Sequence, residues 1–204
     1  MRGSLGILHG LLGAIVLVGW GCATELPSLV DPAEVSGSLV VGRVLTVLIG
    51  ETSRRFPPEV YFFELEDQAS QKRFQVEIKS PDQYFAVGLP PGNYRLTRVR
   101  ISEGPFMSMA DMSLGFSIDA GAVTYVGTWR FGIDSPRYGR MVMVSVVGGP
   151  AEAAGMRAFL DSRYPAFDGR VMVDALPQPA QMEARLYEVM PYPRYSRYFR
   201  RHWW

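Results

Sequence analysis

Few of the 204 residues are equipped for chemistry, and their positions restrict what that chemistry is. The two histidines are His9 and His202, so a Ser-His-Asp or Cys-His arrangement would depend on a residue at the very end of the chain. Cys22 is the single cysteine, which leaves no disulfide and, with histidine so sparse, no ordinary His/Cys site for zinc or copper. Carboxylates remain. Glu64 and Glu66 project from one side of a strand pattern, a geometry that a glycosidase uses, although two acids on a solvated strand face are the commoner arrangement. Asp111, Asp119, Asp134 and Asp168 sit where turns are expected, with side chains that bond local backbone. Met107, Met109, Met112, Met141 and Met143 fall at strand spacing, which favours packing over a thioether metal site. No phosphate-binding or dinucleotide fingerprint is present: Gly148-Gly149-Pro150 lacks both the lysine and the spacing. These residues give little support to catalysis.

The C-terminal stretch has a different character. Tyr192, Tyr195 and Tyr198 recur every third residue, and Arg194, Arg197 and Arg200 recur in step, followed by Arg201, Trp203 and Trp204 with no acid among them. Guanidinium groups take phosphate or carboxylate in a fork, and Tyr and Trp settle at membrane–water boundaries. Arg194, Arg197, Arg200, Arg201, Tyr195, Tyr198, Trp203 and Trp204 are therefore candidate contacts for an anionic ligand or a membrane surface, lipopolysaccharide and an acidic envelope protein being the partners considered. A solvated flexible tail, or one lying across the body, is the blander alternative. The charge split bears on this. Of 21 basic and 20 acidic residues, setting aside Arg2 and the four tail arginines leaves 16 against 20, so the body carries −4 and the tail +4.

The first 22 residues decide where such a protein would work. Arg2 is followed by an apolar run from Leu5 to Val18 and by Gly19-Trp20-Gly21-Cys22, the order of an export signal. The run is shorter than the ~20 residues of a bilayer-spanning helix. Export argues against nucleic acid as a partner. Gly21-Cys22 resembles the end of the bacterial lipoprotein signal, whose cysteine becomes the lipidated first residue of the mature chain; Gly19 and Trp20 depart from that motif. The resemblance implies diacylglycerol on the Cys22 thiol and an acyl chain on its amine, with no other cofactor. Several chains hold firmly at ~0.8 kcal/mol per buried methylene. By the family's sorting rule Ala23 implies the outer membrane, with the domain periplasmic or surface-facing. Gly21-Cys22-Ala23 also satisfies the small-x-small rule for ordinary signal cleavage, and that competing cut before Thr24 would discard the cysteine and release a soluble protein.

After a proline-marked tether over 22–36, the period is two. Leu39, Val41, Leu45, Val47 and Ile49 share one face of a first strand; Tyr61, Phe63 and Leu65 mark a second; Phe74, Val76 and Ile78 a third. Phe85, Val87 and Leu89 precede Pro90-Pro91-Gly92-Asn93, a turn, and Tyr94 and Leu96 follow it. The apolar phase then slips to Val99 and Ile101, which predicts a β-bulge near Thr97-Arg98. Met112, Leu114, Phe116 and Ile118 alternate, as do Val123, Tyr125, Trp129 and Phe131 beyond a turn at Asp119-Ala120-Gly121. Met141–Val147 is apolar on both faces and is expected as a central strand. About eight short strands so spaced predict a mainly β fold, an antiparallel Greek-key β-sandwich over 37–148.

The run Phe85 to Leu96 resembles the closing hairpin of transthyretin-like, carboxypeptidase-regulatory-type domains, where a strand ends in Leu-Pro-Pro-Gly and the next opens x-Tyr-x-Leu. The resemblance implies an Ig-like sandwich that serves as a stalk, spacer or binding module. It assigns no activity, because function does not travel with the fold. Residues 149–190 read as an appendage: a helix from Pro150 to Asp161 stopped at Tyr164-Pro165, a short strand within Arg170–Leu176, and an amphipathic helix over Gln181–Met190. The flexible tail is 191–204. The expectation is a membrane-anchored envelope lipoprotein acting as a non-enzymatic structural or interaction module. A soluble periplasmic or secreted glycan-binding protein and a carboxylate-based envelope hydrolase are the alternatives.

Overall fold

The computed structural model describes residues 37–49, 56–134 and 140–189. The signal, Cys22, the tether and the Arg/aromatic tail lie outside them. Among the described residues, eleven strands form two sheets. β1 (Leu39–Leu48), β4 (Tyr84–Gly88), β7 (Val123–Ile133), β8 (Met141–Val147), β9 (Met172–Asp174) and β10 (Gln181–Arg185) make the first, in the order β10-β8-β7-β1-β4, with β9 also on β7. The second runs β11-β6-β5-β2-β3: β11 (Tyr187–Glu188), β6 (Phe106–Ile118), β5 (Gly92–Glu103), β2 (Glu59–Asp67) and β3 (Arg73–Glu77).

The inner faces of both sheets share one core, centred on Trp129. Its ring lies 5.0 Å from Phe63 of the opposite sheet, 5.5 Å from Phe85 and 6.4 Å from Phe116, and its Nε1–H donates to the Val126 carbonyl at 2.8 Å. That bond satisfies the one polar atom of a fully buried indole. The alternations of β3, β4 and β6 place Val76, Phe85, Val87, Met112, Leu114 and Phe116 in this core as expected. So does the bulge in β5. Leu65 faces Leu96 and Glu64 faces Arg98, which leaves Thr97 as the extra residue and returns Val99 and Ile101 to the inside.

Other expectations change. The first sheet is mixed, because β1 runs parallel to β7, and β7 parallel to β9. β1 and β7 are separated by most of the second sheet, and a long return path permits a parallel pair that a hairpin forbids. β7 changes phase at one bulge, where Val41 pairs with Tyr125 and Arg43 with Thr128, while β1 keeps its alternation through it. Gly127 in that bulge has φ +81, and a Cβ there would meet the Val147 carbonyl at 2.9 Å. Before the bulge Leu39, Val41, Val123 and Tyr125 point outward beneath the helix, whereas Val40, Val44, Val126 and Trp129 point into the core. Val47 and Ile49 share the outward face of Leu39 and Val41 but lie beyond the helix, so they are exposed rather than part of the core. A second irregularity, between Val60 and Phe62, turns Tyr61 away from the Phe63–Leu65 face and into solvent. β8 does lie between two strands, but only Val142 and Val144 are buried; Met141 and Met143 are exposed.

Helix α1 (Pro150–Arg163) starts with proline at its first turn and ends at Tyr164, whose N–H donates to the Leu160 carbonyl at 2.7 Å. Met156 and Leu160 close a second core over Leu39, Val41, Val123 and Tyr125. The expected helix over Gln181–Met190 is instead β10 and β11. Met182 and Ala184 pack on the core while Gln181, Glu183 and Arg185 are exposed, and backbone pairing with β8 overrides the helix preference of Glu, Ala and Arg. Residues 149–190 are thus no appendage: they supply strands to both sheets.

The Leu89-Pro90-Pro91-Gly92 segment also differs from expectation. It joins β4 of one sheet to β5 of the other, so it bridges the layers and does not close a hairpin. Tyr94 secures the crossing by donating its hydroxyl to the Pro90 carbonyl at 3.0 Å. Burial, and next the charge of Asp67, push its phenol up to about 12.

Candidate functional site

The outer face of the five-stranded sheet gathers the charged side chains. Residues directly opposed in neighbouring strands project from the same face, which sets three rows. Arg73, Glu66 and Arg95 form one; Gln75, Glu64, Arg98 and Asp111 a second; Glu77, Phe62, Arg100, Met109 and Tyr187 the third.

The first two rows neutralise themselves. Glu66 accepts from Arg95 Nη2 at 2.6 Å and from Arg73 Nε at 3.0 Å. Glu64 accepts from Arg98 Nη1 at 3.1 Å, and Arg98 Nε reaches Asp111 at 3.1 Å. The Tyr187 hydroxyl donates to the same Asp111 oxygen at 3.3 Å, so polar contacts cross all five strands from Arg73 to Tyr187. Glu64 and Glu66 are therefore not two acids on a solvated strand face. Their side chains are 6% and 4% exposed, roofed by arginines that stay partly in water. Nor does Asp111 serve a turn, since it stands in the middle of β6 as a partner of Arg98. The Arg95 hydrogen bond, working against burial and helped by Arg73, holds the Glu66 carboxyl below its usual range. A glycosidase acid requires the opposite shift.

The third row holds a cation with different company. The Arg100 guanidinium lies 5.3 Å from the Tyr61 ring centre and 5.6 Å from that of Phe62, and Nη2 touches the Met107 sulfur. Its Nε is buried with no hydrogen-bond partner. Among the described residues no carboxylate stands within ion-pair distance of Arg100, although Arg95 and Arg98 on the same strand are both paired. Tyr61, half exposed, and Tyr187, 40% exposed, leave aromatic surface open on this face. A cation held between rings, beside exposed tyrosines and a thioether, has the composition found at the centre of protein interfaces.

This cluster was only partly readable in the chain. Glu64 and Glu66 stood out as a pair, but their arginine partners lie up to 34 residues away and are set by strand register. Arg100 carried no signal of its own. Of the residues singled out for chemistry in the sequence, Cys22, Arg194, Arg197, Arg200, Arg201, Tyr195, Tyr198, Trp203 and Trp204 all lie outside the described residues. Among the described residues no group of His, Cys, Asp and Glu is arranged to hold a metal, and no helix is long and apolar enough to cross a membrane. No protein-family model matches the chain, and neither a curated protein nor a solved structure is significantly similar to it.

Proposed function

We propose that this chain is a non-enzymatic interaction module of the bacterial cell envelope, a transthyretin-like Greek-key sandwich carried on the outer membrane by lipid at Cys22. Its partner meets the outer face of the five-stranded sheet and brings an anionic group to Arg100. The observation behind this reading is the contrast along β5: Arg95 and Arg98 are spent on Glu66, Glu64 and Asp111, whereas Arg100 sits between Tyr61 and Phe62 with no acid of the described residues against it. The hydrolase alternative needs a carboxyl that holds a proton near neutrality, and the Glu66 carboxyl is pulled toward ionisation.

The anchor is tested by the mass of the mature N-terminal peptide isolated from cells, together with membrane fractionation of Cys22→Ala. A peptide that starts at acylated Cys22, and a variant that leaves the membrane fraction, support the reading. An unmodified peptide starting at Ala23 or Thr24 overturns the anchor. The tail is a separate lipid-surface candidate: truncation before Tyr192 should weaken co-sedimentation with lipopolysaccharide, and unchanged sedimentation removes that role.

A glycan-binding reading draws on one observation, the two exposed tyrosines Tyr61 and Tyr187 flanking charged groups on a single open face. It separates from the first by its ligand: binding to a neutral oligosaccharide that survives Arg100→Ala favours the glycan.

A further inference from the structure

Arg100 stands among acids, and their placement narrows what its partner can be. β5 is flanked by β2 and β6, and the register opposes Ser102 to Glu59 on one side and Arg98 to Asp111 on the other. Opposed residues project from one face, so Glu59 and Asp111 are diagonal neighbours of Arg100 in opposite directions, each about 7–8 Å away. The face therefore carries an oblique line of charges, negative, positive, negative, across β2, β5 and β6. Both outer charges are open to a ligand. Glu59 is exposed and has no hydrogen bond or ion pair among the described residues. The Asp111 side chain is 69% exposed, and the bonds from Arg98 and the Tyr187 hydroxyl both fall on one of its oxygens, leaving the second free. The other acids near Arg100 are already matched: Glu64 is held by Arg98, and Glu77, on the edge strand, by Lys79 at 3.1 Å.

Given that Arg100 is the binding cation of the proposed function, we infer that its partner is a protein segment in extended conformation, presenting a basic, an acidic and a basic side chain at alternate positions. Alternate residues of a strand project to one face about 6.6 Å apart, close to the spacing of Glu59, Arg100 and Asp111. A Lys-x-Glu-x-Lys pattern laid along the line puts its acid on Arg100 and an ammonium on each carboxylate. The lysine stems find apolar cover, because Tyr61 lies two residues from Glu59, Tyr187 bonds Asp111, and both rings are open to solvent. Polyanions fit badly. Once one phosphate of a polyphosphate or of an anionic lipid surface sits on Arg100, its neighbours come within a Debye length, about 8–10 Å, of Glu59 or Asp111, where like charges still repel. The order of charges thus selects a mixed-charge protein segment over a uniformly negative ligand.

The test is fluorescence anisotropy of rhodamine-labelled peptides with the purified full chain in detergent, on the wild type, Arg100→Ala and Glu59→Lys. The probes are Thr-Lys-Thr-Glu-Thr-Lys-Thr and its charge-reversed counterpart Thr-Glu-Thr-Lys-Thr-Glu-Thr, with tripolyphosphate as competitor. The wild type should bind the first peptide about tenfold more tightly than the second, and Arg100→Ala should abolish that binding. Glu59→Lys should weaken it about tenfold, and Thr-Glu-Thr-Glu-Thr-Lys-Thr should recover affinity for this variant to within about threefold, because one exchanged charge answers the other. Glu59 is exposed, and recovery by a matched peptide cannot come from misfolding. The inference is overturned, with Arg100 still a binding cation, if tripolyphosphate takes Arg100 more tightly than the first peptide does. It is equally overturned if the reversed peptide binds as well, if Glu59→Lys changes nothing, or if the matched peptide fails to recover. Absence of any Arg100-dependent binding removes the proposed role of Arg100 together with the inference.

Discussion

The Arg95 guanidinium donates to the Glu66 carboxylate at 2.6 Å, across a sheet face on which the acid is almost wholly buried. Arg73 approaches the second carboxylate oxygen from the other side, so one acid on β2 holds together three strands. Because folding lowers the pKa of Glu66 from its ordinary 4.5, the stabilisation is complete above pH 4.5 and is lost as pH falls through the lower folded value. Acid titration of stability should therefore show a component in that window which Glu66→Gln removes. A pH profile identical in the variant would show that Glu66 is not a source of the acid sensitivity.

Removing the acid is expected to cost more than removing either arginine. Glu66→Ala leaves Arg73 and Arg95 facing each other without a counter-charge; with both still partly hydrated, the loss is about 1–2 kcal/mol rather than the larger cost of stranding a fully buried ion. Arg73→Ala leaves Glu66 its bond to Arg95 and should cost less than 1 kcal/mol. Urea denaturation of the two variants checks the order.

Trp129 occupies the middle of the core, with aromatic neighbours from both sheets. Trp129→Ala removes the largest fully buried side chain and should destabilise the domain by about 3–5 kcal/mol, enough to unfold it in dilute buffer if its total stability is ordinary. Trp129→Phe keeps a ring against Phe63 and should cost clearly less. Far-ultraviolet circular dichroism on heating separates the two outcomes.

Gly127 combines φ +81 with a crowded Cβ position, 2.8 Å from Leu176 Cδ2 and 2.9 Å from the Val147 carbonyl. Gly127→Ala should cost about 1–3 kcal/mol through backbone strain and the clash with backbone. Gly121→Ala, also at positive φ but with nothing within 4 Å of the added methyl, should cost less. Equal losses in the two variants would show that the close packing at Gly127 contributes nothing beyond its dihedral.

Arg100 gives the functional prediction. Arg100→Ala should leave stability within about 1 kcal/mol, because among the described residues no carboxylate depends on it, yet it should abolish recognition of an anionic partner. Arg98→Ala is the comparison: it strands the buried Glu64 and should lower stability more than binding. Parallel thermal melts and binding isotherms decide the matter, and a stability loss as large for Arg100→Ala as for Arg98→Ala would make Arg100 a structural residue.

What the chain announced by itself was local. Period-two burial in Phe74–Ile78 and Met112–Ile118, the proline-started helix at Pro150 and the bulge at Thr97 follow from steric rules that act within a few residues, so their outcome is written in adjacent side chains. The tertiary structure decided everything that depends on which strands meet. Parallel pairing of β1 with β7, the transfer of Gln181–Arg185 from helix to edge strand and the passage of Pro90-Pro91 between layers arise from hydrogen bonds between distant segments. The charges followed suit: Glu64 and Glu66 changed from solvated acids into buried acceptors because strand register delivered Arg73, Arg95 and Arg98 to them, and a charge can be buried only where its partner arrives with it.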